Sequence, residues 1–196
     1  STPGRPGTDF GPKNPPTCRR VRGVALQWQW QWIALQWQWI EFNSIGIEIS
    51  NKGHQFGYQK YSKAQILSLI NLSKYLIKKY SIKKSNVLGH SDIAFDRKKD
   101  PGEKFPWKLL ARKGIGIWHN INQIKLRKFR KQKIYLDDKK KIKDFFRKIG
   151  YFTNNLSSRS YPKLTKSFQR RFRQELVNGN IDKECVIIAK KLSKLY

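Results

Sequence analysis

Methionine is absent from these 196 residues, cysteine occurs only twice, and acidic side chains are scarce, 13 Asp and Glu against 42 Lys and Arg. With no methionine and Ser1 as the first residue, the sequence is expected to be a processed product or a fragment of a longer protein. Cys18 and Cys185 lie far apart and match no metal or redox spacing, so they leave the redox compartment open. No apolar run reaches the roughly 18 residues a membrane-crossing helix needs, so no transmembrane segment is expected. A charged start followed by an apolar stretch and a small-residue cleavage site is not visible either, which leaves the export route open.

What is present is a large positive charge, formally +29. Such a field attracts polyanions of any kind, whether nucleic acid, anionic lipid or an acidic cell wall, and does not choose among them. Hydrophobic residues at 38% and aromatics at 13% are enough for a packed core without cross-links. The length suits one ordinary domain or two small ones.

Residues 1–41 stand apart as an atypical low-complexity segment. Within Val24 to Ile40 the string Ala-Leu-Gln-Trp-Gln-Trp occurs at Ala25 and again at Ala34, and five of the seven tryptophans lie here. Alternation of Trp and Gln has the strand period of two. The two copies are offset by nine residues, so one face is kept only with a bend near Ile33 and Ala34. The aromatic surface would suit sugar rings or bases, or carry no evolved site at all.

From Phe42 the pattern becomes orderly. Ile45 to Ile49 is a short apolar strand candidate containing Glu48, and Asn51-Lys52-Gly53 is a turn signal. Ser62 and Gln65 make a capping box, followed by helical spacing through Ile66, Leu69, Ile70, Leu76 and Ile77 to about Tyr80. Val87-Leu88 is a second strand candidate ending at Gly89-His90, and a short helix is expected from Trp107 to Arg112, closed by Gly114. Strand, helix and strand in this order predict an α/β class over residues 42–118, a mixed sheet with helices. Residues 119–135 read as a basic linker. Residues 136–196 then predict a small, separate three-helix bundle: 138–150 with Ile142, Phe145, Phe146 and Ile149 inward, about 165–176 with Phe168 and Phe172, and 182 to the end with Val186, Ile187, Leu192 and Leu195.

The placement of the few carboxylates points to chemistry. No Asp or Glu lies between residues 49 and 91 or between 104 and 136, yet Asp92, Asp96, Asp100 and Glu103 crowd into the loop after His90. His90 and Asp100 offer nitrogen and oxygen donors of the kinds zinc accepts. Lys98 stands two residues before Asp100, and Glu48 sits at a strand end able to face the same cleft. A metal-bound water, a carboxylate base and a cation for an oxyanion suffice for amide hydrolysis. The same residues also fit a hydrogen-bonded turn, with Asp92 as a local cap and Asp96 paired to Arg97 or Lys99.

Asn43-Ser-Ile-Gly-Ile-Glu-Ile-Ser-Asn51 with Gly53-His-Gln-Phe-Gly-Tyr58, and Val87-Leu-Gly-His-Ser-Asp-Ile-Ala94 with Arg97-Lys-Lys-Asp-Pro-Gly102 and Phe105-Pro-Trp107, resemble the type-2 N-acetylmuramoyl-L-alanine amidases. The resemblance covers about residues 43–118. It implies a zinc hydrolase that cleaves the amide between N-acetylmuramic acid and L-alanine, acting on peptidoglycan or muropeptides in the cell envelope or periplasm. It makes His90 and Asp100 zinc ligands, Glu48 the group that orients or deprotonates the water, and Lys98 the oxyanion partner. It gives His54 and His119 no metal role, and both are expected to be structural or exposed. The family also supplies a zinc-binding His from an upstream strand. Here no histidine precedes His54, residues 1–41 carry no recognisable match, and Phe95 replaces the usual proline. A metal site short of one ligand, with impaired turnover, is the corresponding expectation.

Phe168-Gln-Arg-Arg-Phe-Arg173 and Gly179 in the tail are similar to the three-helix peptidoglycan-binding module often fused to these amidases. Tethering by such a module raises local substrate concentration. A non-catalytic wall-binding protein is the alternative. A basic nucleic-acid-binding protein is a third reading; no nucleic-acid motif is present, so no specific nucleic acid is expected.

Overall fold

The computed structural model describes residues 44–153 and 156–196. The Trp/Gln repeat and its strand reading lie outside the described residues. Seven α-helices occur among the described residues: α1 (Lys63–Lys79), α2 (His90–Ile93), α3 (Trp107–Arg112), α4 (Gln123–Arg127), α5 (Leu136–Ile149), α6 (Ser160–Phe172) and α7 (Lys183–Leu192).

The expected mixed sheet is not found among them, and the α/β class is corrected to helical. Within Ile45–Ile49 and Val87–Leu88 only Ile47 and Leu88 form bridges, and these are isolated. A sheet requires two backbones to run side by side over several residues. Leu88 has no room to extend such a ladder, because the chain enters α2 two residues later. The apolar period was real all the same. Ile47 is buried, and Ile45 and Ile49 pack partly against the core.

Helix α1 begins where the capping box was expected. The Ser62 hydroxyl accepts the Gln65 N–H at 3.2 Å, and the Gln65 side chain accepts the Ser62 N–H at 2.9 Å. Ile66, Leu69 and Ile70 are its buried stripe, and Lys78 and Lys79 complement the negative end of its dipole. Ser62→Ala removes the first of these bonds, and urea denaturation should show a loss of about 1 kcal/mol. An unchanged midpoint would show that the box does not set this helix.

One hydrophobic cluster runs from Ile47 through Trp107, Ile142 and Phe168 to Leu192. Its aromatic centre is Phe168, whose ring centroid lies 4.9 Å from that of Phe146 and 5.3 Å from that of Phe172. Helices α5 and α7 pack on each other, α4 on α7, and α2 on α6. The stretch 119–135 contains α4 and buries Leu126. Helix α6 starts and stops earlier than its apolar spacing suggested. Pro162 falls in its first turn, where a missing N–H costs nothing, and Arg173 leaves the helical region with ψ 63°. Ile142, Phe146, Ile149, Phe172, Val186 and Leu192 are buried as expected, and Phe145 and Ile187 partly so, but Leu195 is 51% exposed beyond the end of α7.

Candidate metal and catalytic site

The site is built on a tight turn out of Leu88. A side chain at Gly89 would place its Cβ 2.7 Å from Pro101 Cδ and 3.1 Å from the Trp107 ring, so only glycine lets the chain pass. The Gly89 N–H donates to Asp92 Oδ2 at 2.8 Å, which starts the single turn α2 and presents His90. The Ser91 N–H donates to the Asp100 carbonyl at 2.9 Å, folding the loop back on itself. The far side of the loop is clamped by two phenols. Tyr58 and Tyr61 both donate to the Pro101 carbonyl, at 2.7 and 2.9 Å. Burial pushes both hydroxyls up, Tyr61 to about 12, so each keeps its proton and remains a donor. Gly102 has φ +81°, and a Cβ there would meet Tyr58 Oη at 2.6 Å.

This folding brings His90 and Asp100 together: His90 Nδ1 lies 2.9 Å from Asp100 Oδ2, with 28% and 55% of the two side chains exposed. Burial raises the Asp100 carboxyl, but the hydrogen bond and charge of His90 and the charge of Lys98 outweigh it and hold the group below its usual value. Lys98 therefore stands within electrostatic reach of the pair, half-buried. Glu48 is exposed beside the buried Ile47 and makes no hydrogen bond or ion pair among the described residues. The structure thus brings His90 and Asp100 into contact, with the charge of Lys98 acting on the pair, and shows no contact between them and Glu48.

The other two histidines are accounted for locally. His54 Nε2 lies 3.1 Å from Glu103, and its ring stacks on Tyr58 at 4.4 Å. His119 is 1% exposed, and burial pushes its pKa down to about 4, so it is neutral and accepts the Ile121 N–H at 3.1 Å.

Imidazole and carboxylate are donor types zinc takes, and their convergence fits two positions of a zinc site that normally has three protein ligands. No group of three His, Cys, Asp or Glu able to hold a metal occurs among the described residues. A polar concavity of about 400 Å³ lies elsewhere, at the start of α1 between Ser50, Gln59 and Gln65, and contains none of the four residues.

Two supporting side chains escaped the sequence reading. Arg171 of α6 donates to Asp92 Oδ2 at 2.5 Å and to the Val87 carbonyl at 2.8 Å, and Tyr151 donates to Asp92 Oδ1 at 2.7 Å. All three residues are buried. Asp92 is the local cap that the sequence suggested, and it is also the anchor for a helix 79 residues further on. Arginine inside an amphipathic helix was the available signal, since a buried charge requires a partner.

The sequence pattern of the N-acetylmuramoyl-L-alanine amidase family, Amidase_2, matches residues 19–103. The match begins inside the segment 1–41, in which no family motif was expected. The N-acetylmuramoyl-L-alanine amidase AmiD of Escherichia coli (strain K12) is 35% identical over 159 residues, which is 78% of this chain and 58% of that protein. The chain therefore spans little more than half of that relative's length. Among solved structures, AmiD from E. coli in complex with the substrate anhydro-N-acetylmuramic acid-L-Ala-D-gamma-Glu-L-Lys superposes with a TM-score of 0.69 and 30% identity, over 89% of this chain and 70% of that one. AmpDh3 from Pseudomonas aeruginosa in complex with anhydromuramic pentapeptide gives 0.68 and 30%, over 90% and 69%. By sequence pattern, by identity to these relatives and by fold, the chain belongs to the type-2 N-acetylmuramoyl-L-alanine amidase family.

Proposed function

We propose that this chain hydrolyses the amide between the lactyl group of N-acetylmuramic acid and L-alanine in peptidoglycan or its muropeptides. The observation that carries the reading is the 2.9 Å approach of His90 to Asp100, two donors that lie ten positions apart in sequence, in a member of this family. The relatives' bound anhydromuramyl peptides support the substrate class. His90 and Asp100 would hold zinc, which when bound supplies Lewis-acid polarisation of the amide carbonyl and of the attacking water. Glu48 takes the proton from that water as its oxygen bonds to the carbonyl carbon. The same proton passes to the L-alanine nitrogen as the C–N bond breaks, leaving a free lactyl carboxylate and a free peptide amine. Lys98 faces the negative charge that develops on the carbonyl oxygen. The exposure of Glu48 suits a group that must exchange protons with solvent.

On this reading the protein acts in the cell envelope or periplasm; no helix among the described residues is long and apolar enough to cross a membrane. The tail from α5 to α7 adds wall binding on this reading, and the +29 charge favours an anionic wall.

The test is release of L-alanine-linked stem peptides from muropeptides, read by mass spectrometry with zinc present and after chelation. Lys98→Met should lower kcat by about 10²–10³ while leaving KM nearly unchanged, because its interaction forms only in the transition state. Binding to insoluble peptidoglycan without release would move the assignment to a wall-binding protein. A steeply salt-dependent DNA shift without wall binding would move it to nucleic acid.

A further inference from the structure

Helix α6 does more than fill the core behind the candidate site. Lys163, Ser167, Arg171 and Gln174, spaced by four, four and three residues, lie along one side of it and its C-terminal exit. Every one donates to the loop that carries His90 and Asp100. Lys163 Nζ reaches the Asp96 carbonyl at 3.3 Å, and the Ser167 hydroxyl reaches the Ser91 carbonyl at 2.6 Å. Gln174 reaches the Phe105 carbonyl at 2.6 Å. Arg171 brackets His90 itself, holding the Val87 carbonyl before it and the Asp92 carboxylate after it.

The guanidinium of Arg171 is fixed in turn by ring faces, 4.6 Å from the Trp107 centroid and 4.9 Å from that of Phe172. Trp107 is also the ring that crowds Gly89. His90 therefore sits on a backbone gripped on both sides. Asp100 is tied to that backbone through the Ser91 N–H. A two-donor approach of 2.9 Å between half-exposed side chains would not be held by a four-residue helix alone, since isolated helices of this length are unstable.

We propose that Arg171 is a positioning residue for His90 and Asp100, acting with Ser167 as a splint that lets the tail set the geometry of the metal-binding pair. The proposal rests on the amidase reading for what the pair holds, but the ordering of the loop stands apart from it.

The experiment uses the full chain and three variants, Arg171→Met, Arg171→Lys and Ser167→Ala. Amide hydrogen exchange is followed at Ser91 and Asp92, whose N–H groups bond within the loop, and at α1 as an internal standard. Zinc affinity is measured by competition with a chromogenic chelator. Arg171→Met should lose about tenfold or more of the loop protection and, in the range known for outer-shell partners, about 10–100-fold of the zinc affinity. Protection in α1 should not change. Arg171→Lys restores the charge beside Asp92 and should recover part of both losses. Ser167→Ala, which deletes a single hydroxyl, should fall between the parent and Arg171→Met, and it decides the matter if Arg171→Met does not fold. Loop protection and zinc affinity within twofold of the parent in the folded variants would overturn the proposal. If the parent takes up no zinc, the metal reading fails on its own, and the exchange data still decide the splint.

Discussion

His90→Ala is expected to abolish zinc uptake and muropeptide hydrolysis together while leaving the thermal unfolding of the metal-free protein close to that of the parent. The side chain is 28% exposed and bonds to Asp100 within the same loop, so its loss is expected to remove a donor more than a support. Outer-shell partners are worth about 10–100-fold in affinity, and a coordinating nitrogen must exceed that, so a fall of more than about 100-fold is predicted. Asp100→Asn should behave similarly. It retains the shape facing His90 but discards the negative charge that His90 and Lys98 stabilise. His54→Gln is the control, because His54 pairs with Glu103 and is no part of the pair. Chelator competition and stem-peptide release measure all three. Zinc binding by His90→Ala at the parental level would place the metal elsewhere and remove the basis of the amidase mechanism.

The largest stability effect is expected from Arg173→Met. The Arg173 side chain is 1% exposed and donates to Asp182, lies 3.5 Å from Glu184, and reaches Asn178 at 3.3 Å. Glu184 is fully buried and is also gripped by Arg130 through two bonds of 2.8 and 2.9 Å. Removing one member of such a network leaves buried charge without compensation, which typically costs about 3–5 kcal/mol. Arg127→Met makes the contrast. Its bond to Glu175 is 2.7 Å long, but the side chain is 58% exposed and screened by water, so the loss should be far smaller than for Arg173→Met. Urea denaturation of both variants separates the cases. Equal losses would mean that burial does not govern the value of these ion pairs, and the account of the α6–α7 junction would have to be abandoned.

Much of this molecule could be read before any coordinates. The Ser62 to Gln65 cap, the Gly114 and Gly150 stops and the inward faces of α5 and α7 all depend on contacts within a few residues, so local spacing reveals them. His90, Lys98 and Asp100 were singled out for a related reason. They belong to one loop of eleven residues, and in a chain with 13 acidic side chains a carboxylate cluster beside a histidine stands out. The sheet was misread because apolar alternation at Ile45, Ile47 and Ile49 reports burial, while a ladder depends on a second segment alongside. The buried Arg171 was missed because its partner Asp92 lies 79 positions away and no short-range pattern can join them.

By itself, then, the amino-acid order determined the helix behind Ser62, the helices of residues 136–149 and 183–192, and the family, all of which rest on local spacing or on contiguous motifs, and it nominated the donor pair. Tertiary structure decided how closely His90 approaches Asp100, that Glu48 makes no hydrogen bond to them, and that a tail helix bonds to the loop between them. Distance and burial are properties of segments brought together from far apart in the chain, and charges such as Arg171 acquire their meaning only once water has been removed around them.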